Sequence, residues 1–285
     1  MAKGFGFTDV LKAYNKVRQE QEREARKAER AAEQAAAKRA RERRESDRRM
    51  AAAARDGRRA HAQTRAEEVE QRNQELNERV AYLESGILAS ALEADVLAVV
   101  EALEDDKTDA INLYFSRALD RSSYPSEFPT GRRVAYDAQS RLLVVEFELP
   151  PVDVVPAAKG WRYVKTQDRV DEVARSRTHT KAVYAQLLHQ IALRTLHEVF
   201  SADRNSKVDS VVFNGVVDSI DKATGKQVRL CLLSVQATRE VFNELELSYV
   251  EPAACLKGLG ASLSRDPLGH AAVTPLVQLS EVDPG

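Results

Sequence analysis

Proline and glycine are almost missing from the first part of this 285-residue chain. All nine prolines lie at or after Pro125, and Gly57 and Gly86 are the only glycines between Phe7 and Thr130. Because both residue types interrupt helices, a stretch without them that is rich in Ala, Arg, Glu and Gln predicts one long helix or a short series of helices, with a hinge at Gly57. The composition excludes a collagen-like chain and a wholly disordered one.

Cysteines and long apolar runs are also scarce. The two cysteines, Cys231 and Cys255, exclude a disulfide framework and fit a reducing compartment. The most apolar window, residues 87–103, is interrupted by three acidic residues, so no segment is expected to span a membrane. The N-terminus lacks the apolar run of a signal peptide. We therefore expect a cytoplasmic protein without a membrane partner.

Charge, in contrast, is plentiful and unevenly placed. Charged residues make up 31% of the chain, although the formal net charge is only −1. Between Lys38 and Arg59 there are ten Lys and Arg against four acidic residues. Between Glu67 and Asp109 there are thirteen acidic residues against three basic ones. The even total therefore hides a basic segment that is followed by an acidic one.

The basic segment, residues 38–59, is a candidate nucleic-acid interface and is called the basic block below. Exposed cations bind phosphates without reading the base sequence. The cations surround the predicted helix rather than forming a single stripe, and a helix that is merely solvated by its charges is the competing interpretation. The candidate residues are Lys38, Arg39, Arg41, Arg43, Arg44, Arg48, Arg49, Arg55, Arg58 and Arg59.

A heptad pattern follows the basic block. β-branched side chains at position a, Leu at d and a single Asn at a favour a parallel two-stranded coiled coil. We therefore predict a dimer, in which Asn73→Val would raise stability and loosen the choice of oligomer. Packing of this helix on the C-terminal region of its own chain is the alternative. The six predicted dimerisation residues are Val69, Leu76 and Leu83 at d, and Asn73, Val80 and Ile87 at a.

The pattern changes after Ser122 to turn residues and alternating strands, which predicts an α+β domain of hairpins packed with helices. The expected organisation is a flexible N-terminus (1–7), a long charged helix and coiled coil (8–122) and the α+β domain (123–285). The predicted elements are a hairpin of Val134–Tyr136 and Leu143–Leu149, a strand at Trp161–Val164, a helix over Thr178–Phe200, a hairpin of Val208–Val217 and Arg229–Gln236 with Gly225 at positive φ, and short helices from Thr238 and from Pro252.

No catalytic, cofactor or metal site is predicted. Asp137, Glu146 and Glu148 lie near one another on the first predicted hairpin, but no Lys follows Glu148 as a metal-dependent nuclease would need. His189 and His197 lie too far apart along one helix to share a metal ion. The phosphate-binding, serine-hydrolase and zinc-protease motifs are all missing from the sequence.

Five segments of the compact region carry a resemblance to a known family: Tyr124–Pro129, Arg141–Pro151, Trp161–Lys165, Leu193–Glu198 and Val211–Gly215. They resemble the middle part of actinobacterial restriction-system proteins of the Mrr type, which also carry a charged coiled coil before it. The resemblance covers about residues 80 to 284. In that family the region precedes an endonuclease domain with a Gly-x-Asp strand and a Gln-x-Lys strand, and this chain ends near the place where that domain would begin. No catalytic residue is therefore carried over.

The resemblance implies a dimerising and regulatory region, sensing DNA or a partner, of an Mrr-type restriction system in phage defence. Its partners would be a second copy, DNA and a nuclease domain or subunit. The alternative is a coiled-coil structural or interaction protein with no role on DNA.

Overall fold

The computed structural model describes residues 7–93, 107–221 and 223–282, with side chains from Leu11 onward. The chain divides into a first unit, residues 1–67, and a second unit, residues 68–285. Helix α1 (Phe7–Ala81) contains nearly all of the first unit and continues into the second.

The first unit is helical because its residues favour a helix individually, not because they pack. Every residue from 11 to 61 is exposed. Good helix formers dominate this stretch, and pairs one turn apart, such as Arg18–Glu22 at 3.2 Å and Glu45–Arg49 at 2.8 Å, add a few tenths of a kcal/mol each. Gly57 does not act as the expected hinge, since α1 runs through it without interruption.

The second unit begins with helices and continues with two sheets. The expected boundary between residues 122 and 123 falls inside this unit. After α1 come a π-helical turn (Tyr82–Gly86), α2 (Ile87–Glu93), α3 (Thr108–Asp120), β1 (Arg132–Asp137), β2 (Leu142–Glu148), β3 (Ala158–Val164), β4 (Arg169–Ala174), α4 (Arg177–Ala202), β5 (Ser210–Ile220), β6 (Gln227–Thr238), α5 (Arg239–Asn243), α6 (Pro252–Gly258), β7 (Ser262–Leu263) and α7 (Leu279–Val282).

The main sheet has five strands in the order β1-β2-β5-β6-β7. The pairs β1–β2, β5–β6 and β6–β7 are antiparallel, whereas β2 and β5 are parallel and are connected through α4. The two predicted hairpins are confirmed, and Gly225 has the expected positive φ, at 68°. β3 contains the predicted strand Trp161–Val164 but pairs with β4 in a separate two-stranded sheet.

The hydrophobic core lies on both faces of the main sheet, since successive side chains of a strand point to opposite faces. The larger cluster joins Phe147 and Phe213 to the helices and includes the fully buried Leu187 and Ile191 of α4. A smaller cluster on Val144 and Val212 is covered by Leu279 of α7. The α+β fold class predicted from the sequence is therefore confirmed.

Candidate functional site

The basic block lies on α1 in the first unit, and all ten of its Lys and Arg residues are exposed. Arg49 is paired with Glu45, and Arg58 donates from Nε to the carbonyl of Ala54 at 3.2 Å. A helical backbone holds the ten cations at fixed spacing, while their long side chains extend into water. The arrangement suits contact with a polyanion and brings together no group that could perform acid–base chemistry.

The six residues of the heptad lie in the second unit, and the structure corrects their predicted role. Leu83 and Ile87 are fully buried and Leu76 is 6% exposed, all within the core of their own chain. Val80 belongs to the same core, and Val69 is buried as well. These side chains cannot form a dimer interface while they pack in this core. The alternative, packing of the helix on its own chain, is what the structure has.

Asn73, the polar member of the heptad, contacts β3 instead of a second helix. Its Nδ2 donates to the carbonyl oxygen of Trp161 at 3.1 Å, and its Oδ1 accepts from the N–H of Trp161 at 2.7 Å. Gly160 permits this approach, because a Cβ there would lie 3.1 Å from Asn73 Oδ1. One amide therefore satisfies both backbone groups of a strand residue and fixes α1 on the two-stranded sheet.

The π-helical turn after α1 is stabilised by Gln190 of α4, a residue the sequence did not single out. A π turn opens the ladder of helical hydrogen bonds, and here the opening lies in the core. Gln190 is 1% exposed; its Nε2 donates to the carbonyl of Leu83 at 2.9 Å and its Oε1 accepts from the N–H of Leu88 at 3.2 Å. The side chain thus replaces the missing part of the ladder.

One turn along α4, Arg194 holds three helical segments together. Its buried guanidinium forms an ion pair with Glu198 at 2.7 Å and donates to the carbonyl of Ile87 at 3.2 Å and to Ser122 Oγ at 3.3 Å. The same group lies 4.1 Å from the centre of the Tyr124 ring, and burial raises the pKa of this tyrosine. This cluster was not singled out from the sequence. The signal that could have found it is the charged pair Arg194 and Glu198 within the apolar face of the predicted helix, and the role of the cluster is structural.

Two of the three carboxylates considered for a nuclease site, Glu146 and Asp137, have other partners. Glu146 accepts from Arg229 at 2.9 Å and lies 3.5 Å from Arg133. Asp137 instead accepts from the hydroxyl of Ser140 and from the N–H of Gln139, the latter at 3.0 Å, and these bonds close the β1–β2 turn and lower the pKa of Asp137. Within residues 7–93, 107–221 and 223–282, no three His, Cys, Asp or Glu side chains form a group that could hold a metal ion.

A cavity of about 380 Å³, lined by both polar and apolar residues, borders Glu146, between the sheet and the segment that leads into α7. Arg133, Glu146, Asn214 and Arg229 line it. Arg229 is also paired with Asp218 at 2.9 Å, so it contacts two carboxylates, Glu146 and Asp218.

The thiols and the α4 histidines are poorly suited to catalysis. Burial raises the pKa of Cys231 to about 11 and also raises the pKa of Cys255, so both are protonated thiols at neutral pH. Burial lowers the pKa of His189 and of His197, which favours neutral rings. The distance that the sequence predicts between these two histidines along α4 is retained, since both lie on that helix.

Among the described residues, none of the helices combines the length and the apolar character needed to cross a bilayer. Comparison with known proteins found no matching family model, no matching curated protein and no matching solved structure.

Proposed function

We propose that this chain binds nucleic acid in the cytoplasm through the basic block, and that its second unit is the regulatory, partner-sensing region of an Mrr-type restriction system. The observation that carries the nucleic-acid part is the complete exposure of ten Lys and Arg on one helix that buries nothing between residues 11 and 61. A helix with no packing role has its cations available for a polyanion.

The restriction-system part rests on the sequence resemblance of the compact region. A nuclease domain or subunit would be the partner that acts on DNA, and the second unit would position or restrain it. Four of the six heptad residues are buried in the core of their own chain, Val69 is buried as well, and Asn73 bonds to the backbone of Trp161. A dimer of this chain would therefore use other residues.

The test is a fluorescence-anisotropy titration of a labelled duplex at about 50 mM salt, repeated at rising salt. Contacts from four to six cations predict a slope of log K against log salt of about −4 to −5. We expect no preference for base sequence, since phosphate contacts carry none. Replacing Arg43, Arg44, Arg48 and Arg49 with Glu should abolish binding and leave the second unit folded.

The contrary result is that the anisotropy of the labelled duplex does not change up to high micromolar protein. The basic block would then be a solvated spacer, and the chain a structural or interaction protein without a role on DNA.

A further inference from the structure

The basic residues of α1 include a row that continues well beyond the basic block. Steps of three or four residues follow one side of an α-helix, because it has 3.6 residues per turn. From Lys12 to Arg59 such steps give fourteen successive positions, of which ten are Lys or Arg, four are uncharged and none is acidic. The ten members, called the basic row, are Lys12, Lys16, Arg23, Arg26, Arg30, Arg41, Arg44, Arg48, Arg55 and Arg59.

Acidic residues occupy the two flanks of this part of α1 and are missing from the row and from the opposite side. The ion pairs Arg18–Glu22 and Arg49–Glu45 both use arginines that lie off the row. The uncharged positions within it are Gln19, Gln34, Ala37 and Ala52. Every member is exposed. The row therefore presents a one-signed face about 70 Å long, at 1.5 Å per residue.

We infer that the basic row is the face by which this chain binds double-stranded DNA, an inference that rests on the nucleic-acid binding proposed above and assigns its surface and partner. Duplex DNA is a stiff, linear polyanion with a persistence length of about 50 nm, so it stays straight beside a row of this length. A protein partner usually covers about 800 Å² of surface, and a patch of that area is much shorter than the basic row.

The positions of the apolar side chains argue against two other polyanions. Single strands are usually bound on aromatic side chains beside the cations, but Tyr14 lies two residues from both Lys12 and Lys16, on the opposite side of α1. A helix that binds an anionic membrane buries a continuous apolar face on the side away from its cations. Between residues 12 and 59, the large apolar residues across α1 from the row are only Tyr14, Val17 and Met50. Arg39 and Arg43 lie on the same side, so α1 has no such face.

The basic block itself provides a matched test, because half of its cations belong to the row. One variant replaces the five row members Arg41, Arg44, Arg48, Arg55 and Arg59 with Gln. The control replaces the other five, Lys38, Arg39, Arg43, Arg49 and Arg58, with Gln. Both variants lose five charges from the same segment, and Gln keeps a helix propensity similar to that of Arg and Lys. Circular dichroism confirms that α1 remains helical in each.

The full chain and both variants are titrated with a labelled duplex of about 30 base pairs, which exceeds the length of the row. We expect the row variant to bind at least about 30-fold more weakly and its salt slope to fall by about half, because five of the ten row members are removed. The control should stay within about threefold of the unchanged chain. A single strand of equal length and vesicles with anionic lipid should bind more weakly than the duplex.

Equal losses of affinity in the two variants would contradict the basic row as the binding face, but would still support nucleic-acid binding by the basic block. Equal or tighter binding of the single strand or of the vesicles would overturn the duplex as partner. No binding by the unchanged chain would remove the proposed function and this inference together.

Discussion

Gln190 lies in the apolar core because the helix opposite it is irregular. The upstream residues Val80 and Leu83 and the downstream residues Ile87 and Leu88 are all buried, and a π turn between them brings both sets to the core. The turn leaves a carbonyl and an N–H group that water cannot reach, and the amide of Gln190 is the side chain that can satisfy both.

Gln190→Leu should lower the free energy of unfolding by about 2–4 kcal/mol, since two buried backbone groups lose their partner. Gln186→Leu is the matched control, one turn earlier on α4, where the side chain bonds to the exposed Glu251. Its effect should stay below about 1 kcal/mol. Urea unfolding of the full chain measures both. Similar losses in the two variants would contradict the role given to Gln190.

Removal of Ser85 provides a complementary measurement. Ser85 is exposed within the π turn, and a chain shorter by one residue there can close a regular helical ladder. In that background Gln190 has no gap to fill, so Gln190→Leu should become nearly neutral. A loss that persists would mean that Gln190 matters for another reason.

At the scale of elements, the contact between α1 and β3 reverses an expectation drawn from the heptad. An Asn at position a of a coiled coil weakens the dimer, so Asn73→Val would stabilise it. Here the Asn73 amide satisfies both backbone groups of Trp161. We expect Asn73→Val to lower the free energy of unfolding by about 1–3 kcal/mol instead.

The fluorescence of Trp161, the only tryptophan, reports this contact directly during urea unfolding. Asn77→Val is the control, because Asn77 lies one turn later on α1 and is exposed. Increased stability of Asn73→Val would favour the coiled-coil interpretation after all.

Elements with local signals could be predicted from the sequence, and elements that depend on distant partners could not. The β1–β2 and β5–β6 hairpins follow from alternation and turn residues, and α4 follows from helical periodicity. β4 carries only two large apolar residues, Val170 and Val173, so its sequence looks like a loop. The a and d spacing of a coiled coil is also the spacing of any helix that packs on a core, so sequence alone could not separate the two.

The local sequence reveals the basic block but not the upstream half of the basic row, for a different reason. A window of ten cations between residues 38 and 59 shows a local excess of charge, whereas the basic row is defined by position around the helix. Upstream, Arg23, Arg26 and Arg30 alternate with Glu22, Glu24 and Glu29, so no linear segment is strongly basic. An uninterrupted helix is needed before these side chains can be assigned to one face.

For the whole molecule, the second unit depends on the helix that leads into it. Leu76 and Leu83 contribute to its core, so replacing both with Ala should lower the free energy of unfolding by about 2–5 kcal/mol for each residue. The dimer interpretation would instead give a folded monomer of normal stability. Leu11→Ala with Met50→Ala is the control, because both side chains are largely exposed on the first unit. Thermal unfolding and light scattering of the same samples separate the two outcomes.

The parallel pairing of β2 with β5 dictates an order of assembly during synthesis. About 60 residues separate the two strands along the chain, and α4 lies between them. A ribosome that has completed β2 must still translate that whole crossover before Leu143 and Val145 gain their neighbouring strand. Until β5 is made, the β1–β2 hairpin has an unpaired edge at β2 and an exposed apolar face. Pairings of this kind form slowly, so the nascent hairpin exposes its edge and its apolar face for longer, which favours aggregation.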